Sequence, residues 1–147
     1  MAEEMTGGCQ CGRVRYVARV ADDDAYLCHC RMCQRATGGV SIAFKNLKKA
    51  DVRWEGEPDR YASSPIAVRG FCGACGTPLS FEFPDSANMD LTVGSFDEPH
   101  RFRPVHHFGV ESMHEQWLDT TGLTRYRTDD NPQLVKRWMD SVGKLPD

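Results

Sequence analysis

The 147 residues carry 18 basic and 21 acidic side chains, a formal net charge of −3, with both signs interspersed along the chain. A duplex-binding protein needs a basic face to displace counterions, and no stretch offers one, so nucleic-acid binding is excluded. No run approaches membrane-spanning length, and the length is that of one ordinary domain able to bury a core without disulfides, so residues 1–147 are read as a single domain.

The opening residues, Met1-Ala-Glu-Glu-Met-Thr, are acidic and no apolar run follows them, so no secretory signal is expected. A cytoplasmic, reducing setting follows, where thiol clusters are more often metal ligands or catalytic groups than disulfides. Neither a Gly-rich phosphate loop nor a serine elbow occurs, which removes nucleotide use and serine hydrolysis.

Along the chain, Gly7-Gly8 lead into Cys9-Gln10-Cys11-Gly12. Residues 13–20 then alternate, with Val14, Tyr16, Ala18 and Val20 on one face and Arg13, Arg15 and Arg19 on the other, the period of a half-buried strand. Cys28-His29-Cys30-Arg31-Met32-Cys33 follows. Short strands are expected at residues 40–44, 52–54, 66–71, 79–83, 89–93 and 106–110, punctuated by Gly and Pro, which together indicate an antiparallel all-β domain. Lys45 to Lys49, and Arg101 with Arg103, read as solvated loop surface. Cys72-Gly73-Ala74-Cys75 closes the cysteine pattern. A helix is expected at about 131–143: Asn131 can cap it, Pro132 suits its first position, Gly143 suits its end, and Leu134, Val135, Trp138, Met139 and Val142 form an apolar stripe suited to packing on the sheet.

Seven cysteines in three tight groups read as zinc chemistry. Glycine flanks supply the permissive backbone that lets amides approach sulfur. Spacing alone does not say which groups share an ion, since any two pairs could combine. Cys28, Cys30 and Cys33 can nevertheless supply three ligands from one turn, and splitting them would waste that geometry. Cys9, Cys11, Cys72 and Cys75 are therefore expected to form a closed structural site whose removal unfolds the domain. The triplet would hold a second, catalytic ion with an open position for a thiol or water, supported by donors such as Arg31, Arg35 or the amides of residues 36–38.

Alternatives stand beside this reading. The triplet could be closed as Cys3His by His106 or His107, or less well by His29, which lies between two ligands and should project away; both sites would then be structural, in a non-catalytic interaction module. A thiol redox sensor is a third option. Phe108 and Trp117 could line a pocket but suit a core better. His100 and His114 carry no signal beyond polarity, and Glu111, Glu115 and Asp119 suit solvated surface.

The motifs around Cys9 to Gly12 with Tyr16, Cys28 to Gly38, and Gly70 to Leu79, with Val93-Gly94-Ser95-Phe96-Asp97, Pro104, His106 and Trp117, resemble the glutathione-dependent formaldehyde-activating enzyme family, also called the centromere protein V family. The resemblance covers roughly residues 5 to 120. It implies a β-tent of small antiparallel sheets, two zinc ions per chain and a carbon-sulfur lyase. Positions matching Cys9, Cys11, Cys72 and Cys75 would hold the structural ion, and those matching Cys28, Cys30 and Cys33 the catalytic one. The implied partners are glutathione, or a related small thiol, and formaldehyde or another small carbonyl compound. Neither the thiol-contacting residues nor the oligomeric state follows from it.

Overall fold

A computed structural model describes residues 1–146. The chain divides into two compact units, one ending at Glu115 and one beginning at Gln116. The first unit is mainly β, in two sheets.

In the smaller sheet β1 (Glu3–Gly8) pairs antiparallel with β2 (Arg15–Val20), and β2 with β5 (Val52–Glu55). The alternation of residues 13–20 emerges as predicted: Val14, Tyr16, Ala18 and Val20 are buried. Tyr16 carries this core, meeting Trp54 and Phe96 edge-on at 5.5 and 5.3 Å and reaching Ser95 Oγ with its hydroxyl at 2.9 Å. Its ring passes over Gly7, its cross-strand partner, where any Cβ would collide with the phenol. That close approach explains a glycine inside a strand.

The larger sheet comprises β3 (Asp24–Cys28), β4 (Ile42–Lys48), β6 (Asp59–Ser64), β7 (Ala67–Phe71), β8 (Pro78–Glu82), β9 (Asn88–Thr92) and β10 (Arg103–Phe108). Their order is β10-β3-β4-β9-β8-β7-β6. One pairing departs from the antiparallel expectation: β10 runs parallel to β3, with Phe108 opposite Cys28. The ladder continues past the end of β3, where His29 N–H donates to Phe108 O at 2.9 Å.

Three strands lie outside the expected set. β1 has no apolar alternation and ends in two glycines, β3 is short, and β6 is an edge strand exposed along most of its length. Pairing, rather than pattern, makes them strands. The short helix α1 (Arg31–Thr37) was also unsignalled, because Cys30 occupies the cap position normally held by Ser or Asp and accepts from Cys33 N–H. Gly38, in the left-handed region, ends the helix by donating to Gln34 O at 2.8 Å.

Lys45 corrects the expectation of solvated surface. It is buried on β4, with Nζ donating to Asp22 Oδ1 at 2.6 Å and to Asp24 O at 2.7 Å. An ammonium so enclosed requires such partners.

In the second unit, α2 (Pro132–Ser141) begins as expected, with Asn131 Oδ1 accepting from Leu134 N–H at 3.1 Å. Leu134, Val135 and Trp138 of its stripe are half-buried, whereas Met139 and Val142 are exposed. Among the described residues no helix is long and apolar enough to cross a membrane.

Candidate metal centre

The fold gathers the cysteines into two groups. In each, the sulfur atoms all lie within 4.8 Å of one another: Cys9, Cys11, Cys72 and Cys75 in one, Cys28, Cys30 and Cys33 in the other. All seven thiols are free. Closest sulfur separations run from 3.5 to 3.7 Å, far beyond a disulfide bond. A tetrahedral ion with metal–sulfur bonds of about 2.3 Å has sulfur–sulfur edges of about 3.8 Å. Both groups therefore fit a soft metal ion.

The four-sulfur group is assembled by two glycine-bearing turns. The turn before β2 presents Cys9 and Cys11, and Val14 N–H donates to Cys9 Sγ at 3.2 Å. The turn between β7 and β8 presents Cys72 and Cys75, with Gly76 in the left-handed region and donating to Cys72 O at 2.7 Å. Arg13 Nε donates to Cys72 Sγ at 3.4 Å, and its other end pairs with Asp59, which also accepts from Gly73 N–H at 2.6 Å. Thr77, through hydroxyl and amide, draws the Cys75 thiol down to about 5. Cys9 and Cys72 sit inside the apolar cluster of Val14, Tyr16, Leu79, Leu91 and Phe96. This group thus ties two turns 61 residues apart to one core.

The triplet lies where β3 passes into α1. Cys28 is the last residue of β3, Cys30 caps α1, and Cys33 sits in its first turn, buried with Ile42 and Phe44. Cys33 N–H donates to Cys30 Sγ at 3.3 Å. The charged donor is Arg69 on β7, whose Nη2 reaches Cys33 Sγ at 3.4 Å. This replaces the expectation placed on Arg31 and Arg35, since Arg31 instead holds Gln34 Oε1 at 2.5 Å. Arg69 is itself buried, with its guanidinium carbon 4.8 Å above the Phe81 ring. Hydrogen bonding from Cys28, then from Arg69, pulls the Cys33 thiol down to about 5, whereas the contact with Cys33 and burial push Cys28 up.

No fourth Cys, His or carboxylate donor joins the triplet among the described residues. None of the suggested histidines brings a ring nitrogen into the cysteine group. His29 points away, its buried ring contacting His107 Nδ1 through Nε2 at 2.8 Å. His106 stacks on Tyr26, centroids 5.0 Å apart and planes 3° from parallel.

The three cysteines form part of the wall of a cavity of about 600 Å³. Its other walls include Tyr26, Phe81, Phe83, His106 and Phe108, with Asp90 as the one carboxyl group among the lining residues. Burial raises Asp90 above the ordinary carboxylate range, against the opposing hydrogen bonds from Asn46 and Tyr26. Asn46 Nδ2 donates to its Oδ1 at 3.0 Å. Asp90 was legible only as a charge inside the apolar strand at 89–93, a pattern that marks a buried polar group with a task. Phe108 and Trp117 are both exposed rather than core, and Glu111, Glu115 and Asp119 are solvated as expected.

A second cleft of about 730 Å³ shares Met32, Phe44 and Arg69 with this cavity. Arg35, Arg60 and Tyr61 stand on its far walls. Arg60 is paired with Glu57 and Glu82, Arg35 has no such partner among the described residues, and Arg69 stands in the lining of both spaces.

Residues 4–112 match the family model described as glutathione-dependent formaldehyde-activating enzyme. An uncharacterized lyase of Schizosaccharomyces pombe is 32% identical over 85 residues, which are 58% of this chain and 62% of that protein. The match thus spans less than two thirds of the relative's length. The crystal structure of a Rhodobacter sphaeroides protein shares the fold, with a TM-score of 0.56, 21% identity, and coverage of 70% of this chain and 99% of that one.

Proposed function

The chain belongs to the glutathione-dependent formaldehyde-activating enzyme family, and from that premise we propose that it is a zinc-dependent carbon-sulfur lyase joining or parting a small thiol and a small carbonyl compound. The observation that carries this reading is the triplet itself: three cysteine sulfurs, no fourth protein donor among the described residues, and a cavity at their side. Closed four-ligand sites hold folds, whereas three protein ligands leave a position for substrate.

Cys9, Cys11, Cys72 and Cys75 would hold a structural ion, and Cys28, Cys30 and Cys33 the catalytic one. Zinc bound by the triplet would supply a soft cation that favours a thiol in its thiolate form. Arg69 would offset the negative charge of the triplet's thiolates, and its hydrogen bond holds the Cys33 sulfur in position. Arg35 in the second cleft suits a carboxylate of an anionic thiol such as glutathione, because a guanidinium pairs with a carboxylate through paired donors.

In the forward direction the thiol gives up its proton, its sulfur bonds to the carbonyl carbon, and the π pair moves to the carbonyl oxygen, which takes a proton. Asp90 is placed to handle that proton. Its carboxyl lies in the same cavity wall as the cysteines, and burial favours the protonated form at its oxygens. The reverse sequence parts the adduct.

Thiols add to formaldehyde unaided, so the test is acceleration. Exchange between free formaldehyde and S-(hydroxymethyl)glutathione, followed by NMR, is expected to be faster with the protein than with its Cys28→Ala variant. Equal rates would overturn the reading.

A further inference from the structure

The cavity beside the triplet is far larger than formaldehyde requires. A molecule of one carbon and one oxygen occupies little more than a water's share of volume, about 30 Å³, against about 600 Å³ here. A small thiol does not account for the excess either. The body of glutathione is polar and carries two carboxylates, so its chemistry matches the neighbouring cleft, where Arg35 stands, not an aromatic wall.

The wall is apolar in a way that a fold does not need. Met32, Ile66, Phe83 and Phe108 line the cavity and yet are 46%, 67%, 42% and 62% exposed. These residues come from α1, the β6–β7 turn, the end of β8 and the end of β10. Separate elements that each leave a large apolar side chain facing one space beside the cysteines form a site, where scattered exposed apolar residues would not. Phe81 and Phe83 meet edge-to-face at 5.2 Å, so the wall is also braced. Asp90, with Asn46 and Tyr26 around it, is a polar point within that lining. Small-molecule sites are commonly built this way, with apolar walls for the body and a few placed polar groups for orientation.

We propose that the carbonyl partner is not formaldehyde alone but an aldehyde bearing an apolar chain or ring, whose body lies against Met32, Ile66, Phe83 and Phe108 while its oxygen faces Asp90. The inference rests on the lyase reading above. Bond changes are those of the same addition: sulfur to carbonyl carbon, π pair to oxygen, proton to oxygen.

The test holds glutathione fixed and varies the aldehyde through formaldehyde, acetaldehyde, butanal and hexanal, following exchange with the thiol adduct by NMR. After correction for the uncatalysed rate, kcat/KM is expected to rise by up to about fourfold for each buried methylene. Ile66→Asn and Phe83→Ala should reduce the hexanal-to-formaldehyde ratio. Measurable formaldehyde exchange with a flat or falling dependence on chain length would overturn this inference and leave the lyase reading intact. No acceleration with any aldehyde would overturn the lyase reading. If the rise instead follows the thiol, with formaldehyde fixed and propanethiol or pentanethiol replacing glutathione, the assignment to the carbonyl partner is wrong. A readout independent of turnover is binding of benzyl alcohol: the methyl resonances of Met32 and Ile66 should shift while those of Val20, in the other core cluster of the first unit, stay. Unmoved Met32 and Ile66 methyls at saturating benzyl alcohol would overturn the inference.

Discussion

Arg69 Nη2 stands 3.4 Å from Cys33 Sγ, a buried guanidinium on β7 donating to a sulfur on α1. The pairing has a counterpart at the other cysteine group, where Arg13 Nε stands 3.4 Å from Cys72 Sγ. Each group of thiolates thus has one arginine to offset its charge, but the two differ in surroundings. Arg13 is partly open to solvent and anchored by Asp59, whereas Arg69 is enclosed between two cavities and lies over Phe81.

Arg69→Met removes that donor while keeping much of the side-chain bulk. Loss of a hydrogen bond to a ligand commonly weakens metal binding by about 10–100-fold. Chelator competition should show this loss for one ion per chain, with the four-thiolate ion retained. Arg69→Lys should recover only part of it, because a lysine lacks the planar fork. Equal weakening of both ions would contradict the assignment.

Cys72→Ala and Cys28→Ala should behave differently on heating. Cys72 lies in the main core and in the group that joins the turn before β2 to the turn after β7, so its loss should abolish cooperative unfolding or lower Tm steeply. Cys28→Ala should unfold cooperatively with one metal ion fewer. If the two variants melted alike, the division between fold-holding and open sites would be wrong.

Gly7→Ala introduces a Cβ into the space of the Ser95 carbonyl and of the Tyr16 phenol, which is held by its buried hydrogen bond with Ser95 Oγ. Because backbone is among the obstructing atoms, relief requires movement of β1. Denaturant unfolding should show a loss of about 3 kcal/mol or more. A change under about 1 kcal/mol would mean that β1 does not approach Tyr16 so closely.

Asp97 supplies the pH test. Arg15, followed by Thr6, holds its carboxyl below the usual range, with Arg15 Nη1 at 3.0 Å from Oδ1. A depressed folded value means that the contribution is fully present above the unfolded aspartate value, about 3.9, and is lost as pH falls through the lower folded value. Since the pair is partly exposed, Asp97→Asn should cost no more than about 1 kcal/mol at neutral pH. The Tm difference between the two proteins should close on acidification. A gap that widened would reverse the sign.

The sequence made the cysteine groups legible because chelation imposes short spacing, and it made β2 legible because Val14, Tyr16, Ala18 and Val20 obey the strand period. The remaining parts of the site are not local. Arg69 is 36 residues from Cys33, and only the sheet order brings β7 near α1. Asp90 reads as an interruption in an apolar strand until β4 places Asn46 beside it. The parallel β10 left no trace either, since a strand's pattern does not encode its partner's direction. Lys45 looked solvated because a lysine-rich run usually is, and its burial depends on Asp22 and the Asp24 carbonyl. Helix α1 was hidden because a cysteine serves as its cap.

The claim on which the functional account depends is that the triplet ion has a position open to a thiol. Cobalt substituted into both sites reports coordination through its visible spectrum, and the measurement is titration of that protein with glutathione. The account predicts a change in the bands of one ion only, abolished in Cys28→Ala. A spectrum unmoved by saturating glutathione, in protein holding two fully loaded ions, would contradict it.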